Sequence, residues 1–377
     1  VVRERLDILD GLRGLAILLV VWYHVYLVSG QDFGPLTFIA QAGFLGVDLF
    51  FFISGFCLFY PYARALAAGK PLPSTQRFFE RRVLKIVPSY LLALFVFTAV
   101  SHAQFASFGD AVLQVLSHLA FLHTLNAATY GTISGPLWTL GVEVQFYLLF
   151  PLIVTWFRRA PVFGFLILAG VSEAYRLGVD QAGLGAQFLW INQLPAFFDV
   201  FGAGMLAAYA LVALRARGSI HAQTASAAAG VFLALAIAGC AIASWTSATQ
   251  SVDDAHIWLN AHRFLIGPLC FALAISTFFA TRRWQAFVAS PALVFLSAIS
   301  YNLYLWHLEI AVWIHAAGFS AFWTVVLAIP AAISVAAIIT YRLEAPILAL
   351  TFSEIRTRLG TRFAPPAAAE VVLDHAA

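Results

Sequence analysis

DGLRGLAILLVVWYH, residues 10–24, opens the first long apolar run of the chain and carries Arg13 at one end and His24 well inside it. At ~100° per residue the steps between the two come to about three full turns, so both side chains lie on one helix face. At ~1.5 Å per residue they stand roughly 16 Å apart along the axis. One face of one helix therefore carries a fixed cation near an interface and a titratable ring deep in an apolar layer.

The composition extends that reading to the whole chain. The sequence is 62% hydrophobic and 10% charged, with mean hydropathy +0.88, 35 Phe and 10 Trp. A soluble domain carries about 25% charged residues, so most of this chain belongs in a lipid bilayer. Net charge is only +3, and no basic stretch interleaved with aromatics points to nucleic acid. Cys57, Cys240 and Cys270 all fall in apolar runs and read as buried small hydrophobes. His118 and His123 share a segment but lack carboxylate or Cys partners at helical spacing, so no metal site is expected.

Ten windows are long and apolar enough to span, near 12–29, 43–62, 84–101, 138–157, 161–177, 191–213, 226–245, 262–279, 292–315 and 321–350. The stretch 104–137 is polar enough to stay outside the bilayer core, apart from an interfacial piece at 111–125. The first run does not read as a cleavable signal, because no small-residue cleavage site follows it. Placing the N-terminus in the cytoplasm puts every one of the 21 Lys and Arg except Arg176 and Arg263 on the inner side. The expected fold is an all-α integral membrane bundle of about ten transmembrane helices with both termini cytoplasmic. Residues 1–350 form the membrane domain and 351–377 a partly disordered tail.

Orientation converts sequence position into depth. His24, Asp48 and Glu143 each lie about five residues from the outer end of their helices, or ~7.5 Å down, and His307 lies slightly deeper. A single imidazole in a bundle is readily a packed core residue. A carboxylate in a membrane helix costs about 2.5–3.5 kcal/mol to insert and is retained for a partner or a task. His24, Asp48 and Glu143 at one depth therefore read as a functional layer. At the inner face, Arg13 and the stretch FFERRVLKIVPSY, 78–90, gather cations that serve either as interface anchors or as a cradle for a polyanionic ligand.

Seven stretches, in order, resemble the acyltransferase-3 family of integral membrane O-acyltransferases. They are LDGLRGLAILLVVWYH (9–24), GFLGVDLFFFISGF (43–56), RFFERRVLKIVPSY (77–90), GPLWTLGVEVQFYLLFP (135–151), FFDVFGAGML (197–206), SYNLYLWH (300–307) and YRLEAPI (341–347). The resemblance implies an enzyme that takes an acyl group, most simply acetyl, from cytoplasmic acyl-CoA. It passes that group to a hydroxyl of a glycan, glycolipid or related acceptor outside a plasma membrane. The family's Arg and His map onto Arg13 and His24, its motif Glu onto Glu143, and its basic pair onto Arg82 and Lys85. Lys85 departs from the usual Arg and loses bidentate phosphate geometry. On this reading His24 is base or transient acyl carrier and Glu143 orients it, while Asp48, Tyr301 and His307 line the cavity. Acyl-CoA is a substrate rather than a resident cofactor, and homodimerisation is left open. The rival is a proton-coupled secondary transporter that uses the same polar groups as a relay.

Overall fold

The computed structural model describes residues 6–100, 105–218 and 220–349. Arg3, Arg5, Arg356, Arg358 and Arg362, which enter the charge bias, and the tail 351–377 lie outside the described residues. The principal helices are α1 (Asp7–Ser29), α2 (Gly46–Ala67), α3 (Thr75–Val100), α4 (Phe108–Leu119), α5 (Trp138–Phe157), α6 (Pro161–Gln181) and α7 (Phe198–Arg217). Then follow α8 (Ala222–Thr249), α9 (Val252–His262), α10 (Ile266–Phe279), α11 (Arg282–Val288), α12 (Pro291–Ala316) and α13 (Ala321–Ile339). Among the described residues nine helical stretches are long and apolar enough to cross a bilayer, and the pair α11–α12, bent by 41°, makes a tenth. The all-α multi-span expectation therefore holds.

Close backbone approach sets the centre of the bundle. A Cβ on Gly14 would overlap the Leu293 carbonyl of the α12 segment, so α1 lies directly against it. Gly55 on α2 and Gly204 on α7 each face the other helix's backbone, at Phe201 and Phe52 respectively. Lipid tails are as apolar as leucine, so membrane helices associate through such small-residue contacts rather than by hydrophobic exclusion. Phenylalanines fill the space these crossings leave: Phe146 stacks on Phe201 at 3.9 Å and Phe51 on Phe201 at 4.9 Å. Helix α8 lies at the periphery, with only Ala225, Ala229, Ala243, Ser244 and Thr246 buried.

Among the described residues, the stretch expected to stay outside the bilayer core holds none of the long apolar helices up to Ser134, and part of it packs into the bundle. Helix α4 is amphipathic, capped where Ser107 Oγ accepts from Asp110 N at 3.1 Å, and it turns Phe108, Leu113 and Leu116 outward. The chain then dives into the bundle. His123 and Thr124 are fully buried, Gln145 donates to Thr124 Oγ1 at 2.8 Å, and Gln193 donates to the Thr124 carbonyl at 2.7 Å. Phe121 takes φ 57°, a left-handed conformation unfavourable for a bulky residue, and its ring stacks on Tyr90 at 4.6 Å. A polar sequence goes inside here because Thr124 and His123 find partners on α5 and beside it, and Thr129 Oγ1 donates back to the His123 carbonyl at 2.9 Å.

His118 and His123 stack face to face in this insert at 4.1 Å, and His123 Nε2 donates to the Leu137 carbonyl at 3.0 Å. Burial, with the neighbouring imidazole beside it, holds His123 down to about 4, and burial also lowers His118. His123 is therefore neutral in the fold, while in the unfolded chain it takes up a proton near 6.5. Its stabilising contribution is complete above about pH 6.5 and is lost as pH falls toward 4. Hydrogen exchange across 105–134 is expected to speed up over that window, and His123→Gln is expected to flatten the response. Equal protection at pH 7 and pH 4.5 would contradict this.

Candidate active site

The two histidines at the end of the bundle away from Arg13 form a direct pair. Helix α1 carries His24 and α12 carries His307, and His307 Nε2 lies 3.0 Å from His24 Nδ1 with ring centroids 4.8 Å apart. His307 is fully buried, and its Nδ1 faces the carbonyl oxygens of Tyr304 at 2.8 Å and Leu303 at 3.1 Å. Carbonyl oxygens only accept, so His307 Nδ1 carries the hydrogen and a neutral ring presents a lone pair at Nε2. His24 Nδ1 in turn donates, its hydrogen shared between His307 Nε2 and the Val20 carbonyl at 2.9 Å. That leaves His24 Nε2 as a lone-pair nitrogen without a partner among the described residues. The half-buried ring bears a free basic nitrogen held by its opposite edge.

Glu143 stands elsewhere. Its Oε1 accepts from Ser54 Oγ at 2.8 Å and from Tyr147 OH, one helical turn further along α5. Ser54 lies six residues beyond Asp48 on α2, or about 9 Å along the axis, so Glu143 sits well below the Asp48 layer. The equal-depth expectation fails because α5 does not start at the surface. The insert at 121–125 overlies it, and a Cβ on Gly141 would strike Thr124. In this arrangement the partner of the His24 imidazole is His307.

The basic end gathers the other candidates. Arg13 donates to Cys57 Sγ at 3.4 Å and lies 3.6 Å from Asp10. Arg82 lies over the Tyr147 ring at 5.0 Å and the Phe78 ring at 5.8 Å, with no carboxylate partner among the described residues. Lys85 is already paired: its Nζ contacts the buried Glu344, whose other oxygen accepts from Asn302 Nδ2 at 2.9 Å. Glu344 closes a π-helical turn, Thr340–Glu344, and Lys85 also sits 5.5 Å over the Tyr301 ring. Tyr301 OH donates to the Ile86 carbonyl at 2.7 Å, so this ring belongs with the cations.

Asp48 belongs to a third group. Its Oδ1 lies 3.5 Å from Arg263 Nε, both residues at most 3% exposed, and Arg263 covers the Phe197 ring at 4.5 Å. Nearby, Arg176 pairs with Asp199 at 2.7 Å and with Glu173 at 3.0 Å. The two cations that break the charge bias are thus, among the described residues, the two fully buried ones, and each lies beside a carboxylate. In the sequence they stand out only as the two exceptions to the charge bias. Ser54, Tyr147 and Glu344, which the structure brings to the candidates, lie inside the motif stretches but carry no depth or charge signal of their own.

The family model described as Acyltransferase domain, that of the acyltransferase-3 proteins, matches residues 6–341. Protein 2 in the picA locus of Rhizobium radiobacter is 36% identical over 26% of this chain and 46% of its own length. The peptidoglycan O-acetyltransferase OatA of Listeria monocytogenes is 27% identical over 40% of this chain and 24% of its own. Nodulation protein 10 of Rhizobium leguminosarum is 31% identical over 43% of this chain and 47% of its own. The chain thus spans less than half the length of each of these relatives. No solved structure gives a significant match.

Proposed function

Because the chain belongs to the acyltransferase-3 family, we propose that it moves an acyl group, most simply acetyl, from acyl-CoA to a hydroxyl on a carbohydrate or glycolipid acceptor. The observation that carries this reading is the bare Nε2 of His24, held on the same helix face as Arg13. The names of similar O-acetyltransferases support acetyl as the group and a glycan as the acceptor. The basic end faces the cytoplasm of a plasma membrane, as the charge bias expects, and receives the anionic donor. The acceptor hydroxyl approaches His24 from the other side.

His24 Nε2 takes the hydroxyl proton, the oxygen attacks the thioester carbonyl, and the C–S bond breaks with its electron pair going to sulfur. The proton then passes to the CoA thiolate. Arg82 is the cation free to meet a phosphate, and its planar fork suits two phosphate oxygens. Lys85 is neutralised by Glu344 and ties α3 to the π-turn.

Purified protein in liposomes, given acetyl-CoA and a glycan acceptor, is expected to consume thioester and form ester, read by mass spectrometry. Arg82→Ala is expected to raise KM for acetyl-CoA roughly tenfold, about 1.4 kcal/mol of charge-assisted binding. Lys85→Ala is expected to change that KM by about twofold or less while lowering thermal stability, because it leaves Glu344 buried without its cation. A thioester that stays intact while a solute moves would replace the enzyme with a transporter.

A further inference from the structure

The pairing of His24 with His307 raises a question that helix geometry alone does not answer. Val20's carbonyl already holds the His24 Nδ1 hydrogen, as a helical histidine's own preceding turn can do. A second imidazole is not needed to fix the tautomer. What it adds is a lone pair basic enough to share a proton, which a carbonyl lacks. His307 is also fully buried and packed, with its far nitrogen against two carbonyl oxygens from its own helix. Those two acceptors strengthen as the ring becomes positive, because hydrogen bonds from a charged donor are roughly twice as strong as neutral ones.

On the basis of the acyl-transfer reading above, we infer that His307 is a positioning residue that shares the proton His24 takes from the acceptor hydroxyl. It fills the place a carboxylate occupies in a Ser-His-Asp arrangement. When His24 Nε2 gains the hydroxyl proton, the Nδ1 hydrogen moves toward His307 Nε2. The single positive charge then spreads over both rings and onto the Leu303 and Tyr304 carbonyls. The acceptor oxygen forms its bond to the acyl carbon, and the C–S pair leaves on the CoA sulfur. His24 Nε2 returns its proton to that sulfur, the Nδ1 hydrogen moves back, and both rings end neutral. No group beyond donor and acceptor is consumed. Spreading the charge suits a pair in an apolar layer, where a single localised imidazolium is costly. Glu143, bonded to Ser54 and Tyr147, is left out of this relay.

The test uses the full chain in lipid. A glutamine at 307 can accept from His24 and donate to the carbonyls, yet it cannot hold a proton. His307→Gln is expected to lower kcat by about 10²–10³-fold. KM for acetyl-CoA should stay within about twofold and the melting temperature close to wild type. A wild-type proton inventory in mixed water and deuterium oxide is expected to curve, showing two protons in flight, and that of His307→Gln to be linear. Undiminished kcat in His307→Gln, or a loss matched by thermal destabilisation, would overturn the relay. Nitrogen-15 spectra of wild-type histidines decide the geometry without any turnover. Both rings should show a protonated Nδ1 and a bare Nε2, and a protonated Nε2 with bare Nδ1 on His307 overturns the inference. A wild type that transfers no acyl group sinks the catalytic reading and the relay together, whereas an active wild type with an equally active His307→Gln sinks the relay alone.

Discussion

His24→Ala is expected to reduce acyl transfer by about 10²–10⁴-fold, the range typical for removing a positioned general base. Expression and thermal unfolding are expected to stay close to wild type. The ring is half-buried, its reactive nitrogen has no partner among the described residues, and its other nitrogen shares one hydrogen with Val20 and His307. Its loss therefore removes little packing and exposes His307 Nε2 to whatever fills the acceptor space. Acetyl-CoA binding, measured by titration on the intact protein, is expected to change by about twofold or less, because Arg13 stands roughly 16 Å away along α1 and Arg82 lies with it at the basic end, over the Tyr147 and Phe78 rings. Activity above about a tenth of wild type would make His24 a packing residue and return the reaction centre to the Glu143 layer.

The largest effect on stability is expected at Arg263, far from the reacting nitrogen. Arg263→Met leaves Asp48 2% exposed with its cation gone, along with the donation to Asn192 Oδ1 at 3.1 Å. Breaking a buried pair by removing one member costs about 3–5 kcal/mol, since the remaining charge has no compensation. The double substitution Asp48→Asn with Arg263→Met is expected to recover a large part of that loss, and equilibrium unfolding in micelles measures it. If the two single losses simply add, Asp48 and Arg263 are not a coupled pair and the substrate role given to Asp48 by its motif regains its footing. Strong coupling assigns Asp48 to holding α2 against the α9–α10 junction.

The sequence and the structure agree where one physical signal dominates. Apolar run length sets the helices, and the ten windows reappear as nine stretches and a bent pair. Arg13 and His24 keep their shared face because an uninterrupted helix preserves its own periodicity. Placing His307 at His24 needed more, since the approach of α12 to α1 depends on Gly14 meeting the Leu293 backbone, a contact between distant segments. Depth counting failed for Glu143 because it assumed that every helix begins at the surface, whereas the His123–Thr124 insert caps α5 from within. The partner of Lys85 was hidden for a similar reason: Glu344 faces it only through a π-turn, which no periodicity of 3.6 anticipates. Arg176 and Arg263 are legible in the sequence as the cations on the wrong side of the charge bias, and the structure pairs each with a buried carboxylate.

The Asp48–Arg263 pair also has a history in time. Its members are about 215 residues apart, so at ~5–20 residues per second the ribosome delivers the cation some 10–40 s after the carboxylate. Throughout that interval the second helix carries an insertion penalty of about 2.5–3.5 kcal/mol with no counterion yet made. Early spans of this chain therefore enter the bilayer in debt to late ones. The nascent bundle needs the insertion machinery, or a hydrated cleft, to hold α2 until the α9–α10 junction arrives.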